Sequence, residues 1–105
     1  MEKPNLSYIE NMSGGDTVFE QKIIEIIKNE FPQEKEMYFT NYNSKKYKQA
    51  SENIHKLKHK ISILGLEKSY SIASDFENNL RENNLDLKDE FEAIMQVMTE
   101  FLETL

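Results

Sequence analysis

The chain has no cysteine, no tryptophan, two prolines and three glycines in 105 residues. Without cysteine, thiol catalysis, disulfides and cysteine-ligated zinc are excluded, and a reducing, cytoplasmic setting is the expectation. So little proline and glycine excludes collagenous and low-complexity chains. Long apolar runs are missing too. None approaches the roughly 20 residues that crossing a bilayer requires, and the mean hydropathy is −0.70. The opening Met1-Glu2-Lys3-Pro4-Asn5 has neither a basic stretch nor an apolar run, so no secretory signal and no membrane partner are expected.

What is present is charge and helical period. Charged residues make up 30% and hydrophobic ones 38%, and the net charge is −6, which disfavours nucleic acid as a partner. The charge is uneven. Lys45, Lys46, Lys48, Lys56, Lys58 and Lys60 face only Glu52 within residues 44–60. A basic segment on an acidic body suggests a local site for an acidic partner or a phosphate, or else a solvated helix face.

Apolar residues recur at spacings of three and four, and no segment alternates as a strand would. After Gly14-Gly15, Asp16 is placed to cap a helix with Phe19, Ile23 and Ile26 or Ile27 on its stripe, fraying at Glu30. Pro32 suits the first turn of a second helix, with Tyr38, Phe39 and Tyr42 inward. A third helix takes Ser44 as N-cap, carries Tyr47, Ala50, Ile54, Leu57, Ile61 and Leu64, and stops at Gly65. A fourth holds Leu66, Tyr70, Ala73, Phe76 and Leu80 and ends at Asn83-Asn84. The last takes Asp86 as cap, with Leu87, Phe91, Ile94, Met98, Phe101 and Leu105 on one face. Such stripes bury most simply in an all-α, antiparallel four-helix bundle. A short extra helix near Leu6 to Asn11 caps one end, and residues 1–105 form a single domain.

The two histidines, His55 and His59, both lie in the third helix. With Ile54 and Leu57 inward, His55 falls about 100° round the wheel and shares its flank with Ser51, Lys58, His59 and Ser62. Small Ser51 and Ser62 leave room for another surface. Histidines at i and i+4 also match a metal pair, but a metal needs a further ligand, and Lys56 and Lys58 beside it make the site unsuitable. No metal site is expected. Gly14-Gly15 has neither the spacing nor the lysine of a phosphate-binding loop.

His55-Lys56-Leu57-Lys58 followed by Leu64-Gly65 resembles the signature of the histidine-containing phosphotransfer (HPt) domain family, in which a His-x-Leu-Lys run sits mid-helix and Leu-Gly ends that helix. Glu77, in Asp75-Phe76-Glu77, resembles the family's Glu or Gln on the following helix, and Gly14-Gly15-Asp16 with Phe19 its common opening. The resemblance covers nearly the whole chain. One position departs: His59 stands where the family usually has a glycine that lets a partner's backbone approach.

The resemblance implies a phosphocarrier rather than an enzyme, relaying a phosphoryl group between response-regulator receiver domains or from a hybrid histidine kinase. His55 would be the phospho-acceptor, Lys58 would stabilise phosphoryl charge, and Glu77 would orient the imidazole. Ser51, Lys56, His59 and Ser62 would contribute to binding, and Lys56 and Lys60 would steer the partner. The chain would carry no cofactor of its own; Mg²⁺ would belong to the partner receiver. A monomer is expected. Imidazole suits the chemistry because its neutral form, with a reference pKa of about 6.5, is a nucleophile near neutral pH. One alternative is a phosphate-independent helical module that docks a receiver or kinase, its site closed by His59. A more distant one is a subunit of a helical assembly.

Overall fold

A computed structural model describes residues 2–105. Five helices follow one another: α1 (Ser7–Ser13), α2 (Thr17–Asn43), α3 (Tyr47–Ile63), α4 (Glu67–Arg81) and α5 (Lys88–Glu103), with no strand among the described residues. No helix among them is long and apolar enough to cross a membrane.

Local chemistry explains most of the helix ends. Asp16 caps α2 as its type predicts, its Oδ1 accepting from the N–H groups of Val18 at 3.0 Å and Phe19 at 3.1 Å. Three helices close with the paired six-to-one and five-to-two bonds of a left-handed C-terminal turn. At the end of α3, Leu66 N–H donates to the Ile61 carbonyl and Gly65 N–H to that of Ser62. The left-handed residue is Gly65 there (φ 77°), Asn83 at the end of α4 (φ 59°) and Lys45 at the end of α2 (φ 62°). Gly65 and Asn83 are residue types that tolerate this backbone; Lys45 is not, and nothing in its type foretells the turn.

The structure corrects the sequence reading at several points. The break expected at Phe31-Pro32 is absent, and α2 runs unbroken through Pro32. Proline removes one backbone donor, yet Phe31 and Tyr38 on either side are 1% and 0% exposed. Burying each contributes about 2–3 kcal/mol, enough to hold the helix together across the defect. The Gln33 side-chain amide donates to the Asn29 carbonyl in the affected turn, at 3.1 Å. Ser44 does not cap α3: its N–H closes α2, and the N-cap of α3 is Lys46 without a side-chain bond. Asp86 does not cap α5 either; Leu87 holds that position with φ 77°. Of the paired candidates Ile27 is buried and Ile26 exposed, while Phe19 and Tyr70, expected inward, are exposed.

The core forms where the stripes meet. Ala50, Ile54, Leu57 and Ile61 of α3 and Leu64 just after it are all fully buried. Tyr38 of α2, Phe76 of α4 and Phe91 of α5 form an aromatic cluster, with centroids 5.0 Å apart for Tyr38–Phe91 and 5.3 Å for Phe76–Phe91. Helix α3 packs against α2 and α4, and α5 against α4 and α2, with α1 laid on α2. The molecule measures 44 × 23 × 19 Å; the 27 residues of α2, about 40 Å long at 1.5 Å per residue, match the long axis.

Candidate functional site

Burial of Ile54 and Leu57 turns the intervening face of α3 outward, so the His55 side chain is 57% exposed. The left-handed turn at Gly65 folds α4 back against α3, and burial of Phe76 fixes the rotation of α4. That rotation sets its neighbour Glu77 against α3, leaving the residue only 3% exposed. Glu77 Oε2 lies 3.3 Å from His55 Nδ1.

Two cations hold the same carboxylate. Lys58 Nζ stands 2.9 Å from Glu77 Oε1, but off the line of a hydrogen bond, since Oε1 has no aligned donor; the contact is electrostatic. The Lys58 ammonium donates to Ser74 Oγ at 3.3 Å and sits 5.2 Å from the centroid of the Tyr70 ring. Its side chain is 12% exposed. Arg81, one turn along α4, donates from Nη2 to Glu77 Oε2 at 2.5 Å and is half exposed. One buried carboxylate is thus flanked by two cations and an imidazole. The surplus positive charge favours an anion beside His55.

The other expected residues divide. Lys56, His59 and Ser62 are exposed on the His55 side of α3, and the His59 ring stands 5.6 Å from that of His55, edge to face. Ser51 is fully buried and donates to the Lys48 carbonyl at 2.6 Å, so it lies beneath the ridge rather than on it. Its small size still counts, because it lines a surface groove together with Lys48, Glu52 and Arg81. Lys60 is not free to steer a partner: it bonds Glu30 at 2.8 Å and Glu34 at 3.4 Å on α2. No cluster of three or more His, Asp or Glu side chains placed to hold a metal occurs among the described residues.

The i,i+4 spacing of Glu77 and Arg81 fits an ion pair along α4, an alternative to Glu77 orienting His55. The structure joins the two readings in one cluster. The apolar stripe leaves Ser74 out and places Tyr70 inward, although at three and seven residues before Glu77 they share its face of α4, and that spacing is the signal for them.

Chemically, a carboxylate can only accept, so facing it favours the tautomer with the proton on Nδ1. Nε2 then carries the lone pair and is directed away from Glu77. A half-exposed imidazole so disposed, beside cations that neutralise anionic oxygens, is suited to nucleophilic attack on phosphorus. Comparison with family models, with curated proteins and with solved structures returned no match.

Proposed function

We propose that the chain is a histidine phosphotransfer protein, taking a phosphoryl group from a receiver phospho-aspartate onto His55 and passing it to the aspartate of another receiver. The observation that carries this reading is the 3.3 Å approach of buried Glu77 Oε2 to Nδ1 of exposed His55, with Lys58 on the other carboxylate oxygen. In the forward step the acyl phosphate P–O bond breaks as the Nε2–P bond forms. The aspartate leaves as carboxylate, and the ring keeps its Nδ1 proton and becomes cationic. Glu77 offsets that new charge, while Lys58, one turn from His55 and held against Glu77 Oε1, stabilises the phosphoryl charge from its place in the cluster. Mg²⁺ is expected in the partner receiver, and this chain is read as a phosphocarrier without a nucleotide site of its own.

The fold belongs to the same proposal. We read α2 to α5 as an antiparallel four-helix bundle with α1 as an added cap, monomeric and cytoplasmic. Supporting this, Asn41 meets Asn53 while Glu30 meets Lys60 across α2 and α3, and Tyr38 meets Glu92 while Lys35 meets Thr99 across α2 and α5. In each pair, one chain number rises as the other falls. A receiver would dock on Lys56, His59, Ser62 and the exposed ring of Tyr70.

A second reading, a module that docks a receiver or kinase without carrying phosphate, is favoured by one observation: His59 crowds the approach to His55 where a small residue would leave space. Transfer from a panel of phosphorylated receivers, run beside His55→Ala and His59→Gly, separates the two. Acid-labile, base-stable label on the wild type but not on His55→Ala supports the relay. Binding without label in the wild type supports the docking module, and label regained by His59→Gly would identify the obstruction.

A further inference from the structure

Glu77 Oε2 is claimed twice. Arg81 Nη2 donates to it at 2.5 Å, and His55 Nδ1 stands 3.3 Å away without an aligned bond. Guanidinium–carboxylate pairing is the stronger of the two while the imidazole is neutral. Oε2 has lone pairs for two donors, but only Arg81 is aligned on it, so Arg81 competes with Nδ1–H for the geometry of that oxygen. Both contacts share one oxygen, so the guanidinium stands within a side chain's swing of the ring. It is also half exposed and on the rim of the groove with Lys48 and Glu52, and its other bond, from Nη1 to Asn78 Oδ1, is long at 3.5 Å, so the guanidinium can move.

We propose that Arg81 is a positioning residue that exchanges its partner during phosphoryl transfer, bonding Glu77 in the resting protein and the phosphoryl oxygens once His55 is phosphorylated. This inference rests on the phosphocarrier reading and names a regulation of that site. The driving force is charge. When the Nε2–P bond forms, the ring keeps its Nδ1 proton and turns cationic, so its demand for Oε2 rises and it repels the neighbouring guanidinium. At the same moment a doubly charged phosphoryl appears, whose oxygens match the planar fork of arginine. Arg81 moves to the phosphoryl and Nδ1–H takes Oε2. Lys58 stays in place, anchored by Ser74, Tyr70 and Glu77 Oε1. The exchange keeps the imidazole loosely held before transfer and locked after it, so Arg81 sets the lifetime of the phosphohistidine.

The test uses the whole protein with phosphoramidate as donor, so no partner is needed, and reads the His55 ring by nitrogen NMR. In unphosphorylated Arg81→Gln, Oε2 is released, and the Nδ1 proton should become hydrogen-bonded and slow to exchange, unlike in the wild type. After phosphorylation, Arg81→Gln should lose phosphate about tenfold faster, the loss of one charge-assisted bond. Arg81→Lys, which keeps charge without the fork, should fall between. A merely structural arginine would change the melting temperature and leave the Nδ1 signal as it was. An unchanged Nδ1 signal in Arg81→Gln, or an unchanged phosphohistidine lifetime, overturns the exchange while leaving the carrier reading intact. Failure of the wild type to accept phosphate on His55 from phosphoramidate or any receiver overturns both.

Discussion

The buried carboxylate of Glu77 and the exposed imidazole of His55 meet across the α3–α4 seam at 3.3 Å, one residue 3% exposed and the other carrying a side chain 57% exposed. The pairing couples a group that the fold must satisfy to one that it can do without. Replacing His55 by Ala should abolish phosphoryl acceptance and change stability by no more than about 0.5 kcal/mol, as for other surface substitutions. Urea titration beside the transfer assay checks both halves; loss of several kcal/mol would show His55 to be structural.

Glu77 should behave the opposite way. Glu77→Ala leaves the Lys58 ammonium, 12% exposed, without its carboxylate and should cost about 1–3 kcal/mol. Glu77→Gln keeps the shape and one acceptor and should cost less. Denaturant midpoints for the two variants, measured with Lys58→Met in a double-mutant cycle, give the coupling directly.

Phe76 is fully buried between Tyr38, Tyr42 and Phe91. Its truncation to Ala should destabilise by about 3–5 kcal/mol. Because the same residue fixes the rotation of α4, the variant should also displace Glu77 from His55. An altered His55 imidazole spectrum at temperatures where the helices remain intact checks that link.

Alkali should unfold the protein through Tyr38. Burial, then the Glu92 carboxylate that its hydroxyl bonds at 3.2 Å, pushes the phenol above its ordinary value of 10.0. The folded state therefore favours the neutral phenol. That contribution is complete below pH about 10, where the unfolded phenol titrates, and is lost as pH rises beyond it. Lys88, whose pKa Glu92 raises above 10.5, changes in the same direction. Near-ultraviolet absorbance should show the Tyr38 phenolate appearing only together with loss of helical circular dichroism, and Tyr38→Phe should flatten the alkaline limb. At the acid end Glu2 acts in reverse. Burial opposes its charge, but the backbone N–H groups of Lys68 and Ser69 prevail and hold its carboxyl below 4.5, so its contribution fades as pH falls.

Gly65→Ala should cost about 1–2 kcal/mol from its positive φ alone. An added Cβ would also stand 2.6 Å from Asn5 Nδ2, straining the N-terminal segment whose Asn5 N–H donates to the Leu64 carbonyl. Adding Asn5→Gly should recover the steric part and leave the backbone part, as thermal melts of the single and double variants will show.

The all-helical character, the stripe of α3, the cap at Asp16 and the stops at Gly65 and Asn83 were legible in the sequence, because each depends on spacing or on residue types a few positions apart. His55 could be placed on the outer face of α3 for the same reason. What the sequence misjudged depended on distant contacts. Pro32 reads as a helix start, yet burial of Phe31 and Tyr38 carries α2 through it. Ser51 reads as surface but is covered by packing, and Lys60 reads as free but finds Glu30 and Glu34 on another helix. By spacing alone Glu77 and Arg81 make one i,i+4 pair along α4; only the docking of α4 on α3 buries that carboxylate and sets Lys58 and His55 around it. Sequence by itself determined the apolar face of α3 and the stops at Gly65 and Asn83, since those depend on local backbone and spacing. Tertiary structure decided which charges meet, because an ion pair between helices depends on their relative rotation, and the packing of side chains such as Phe76 sets it.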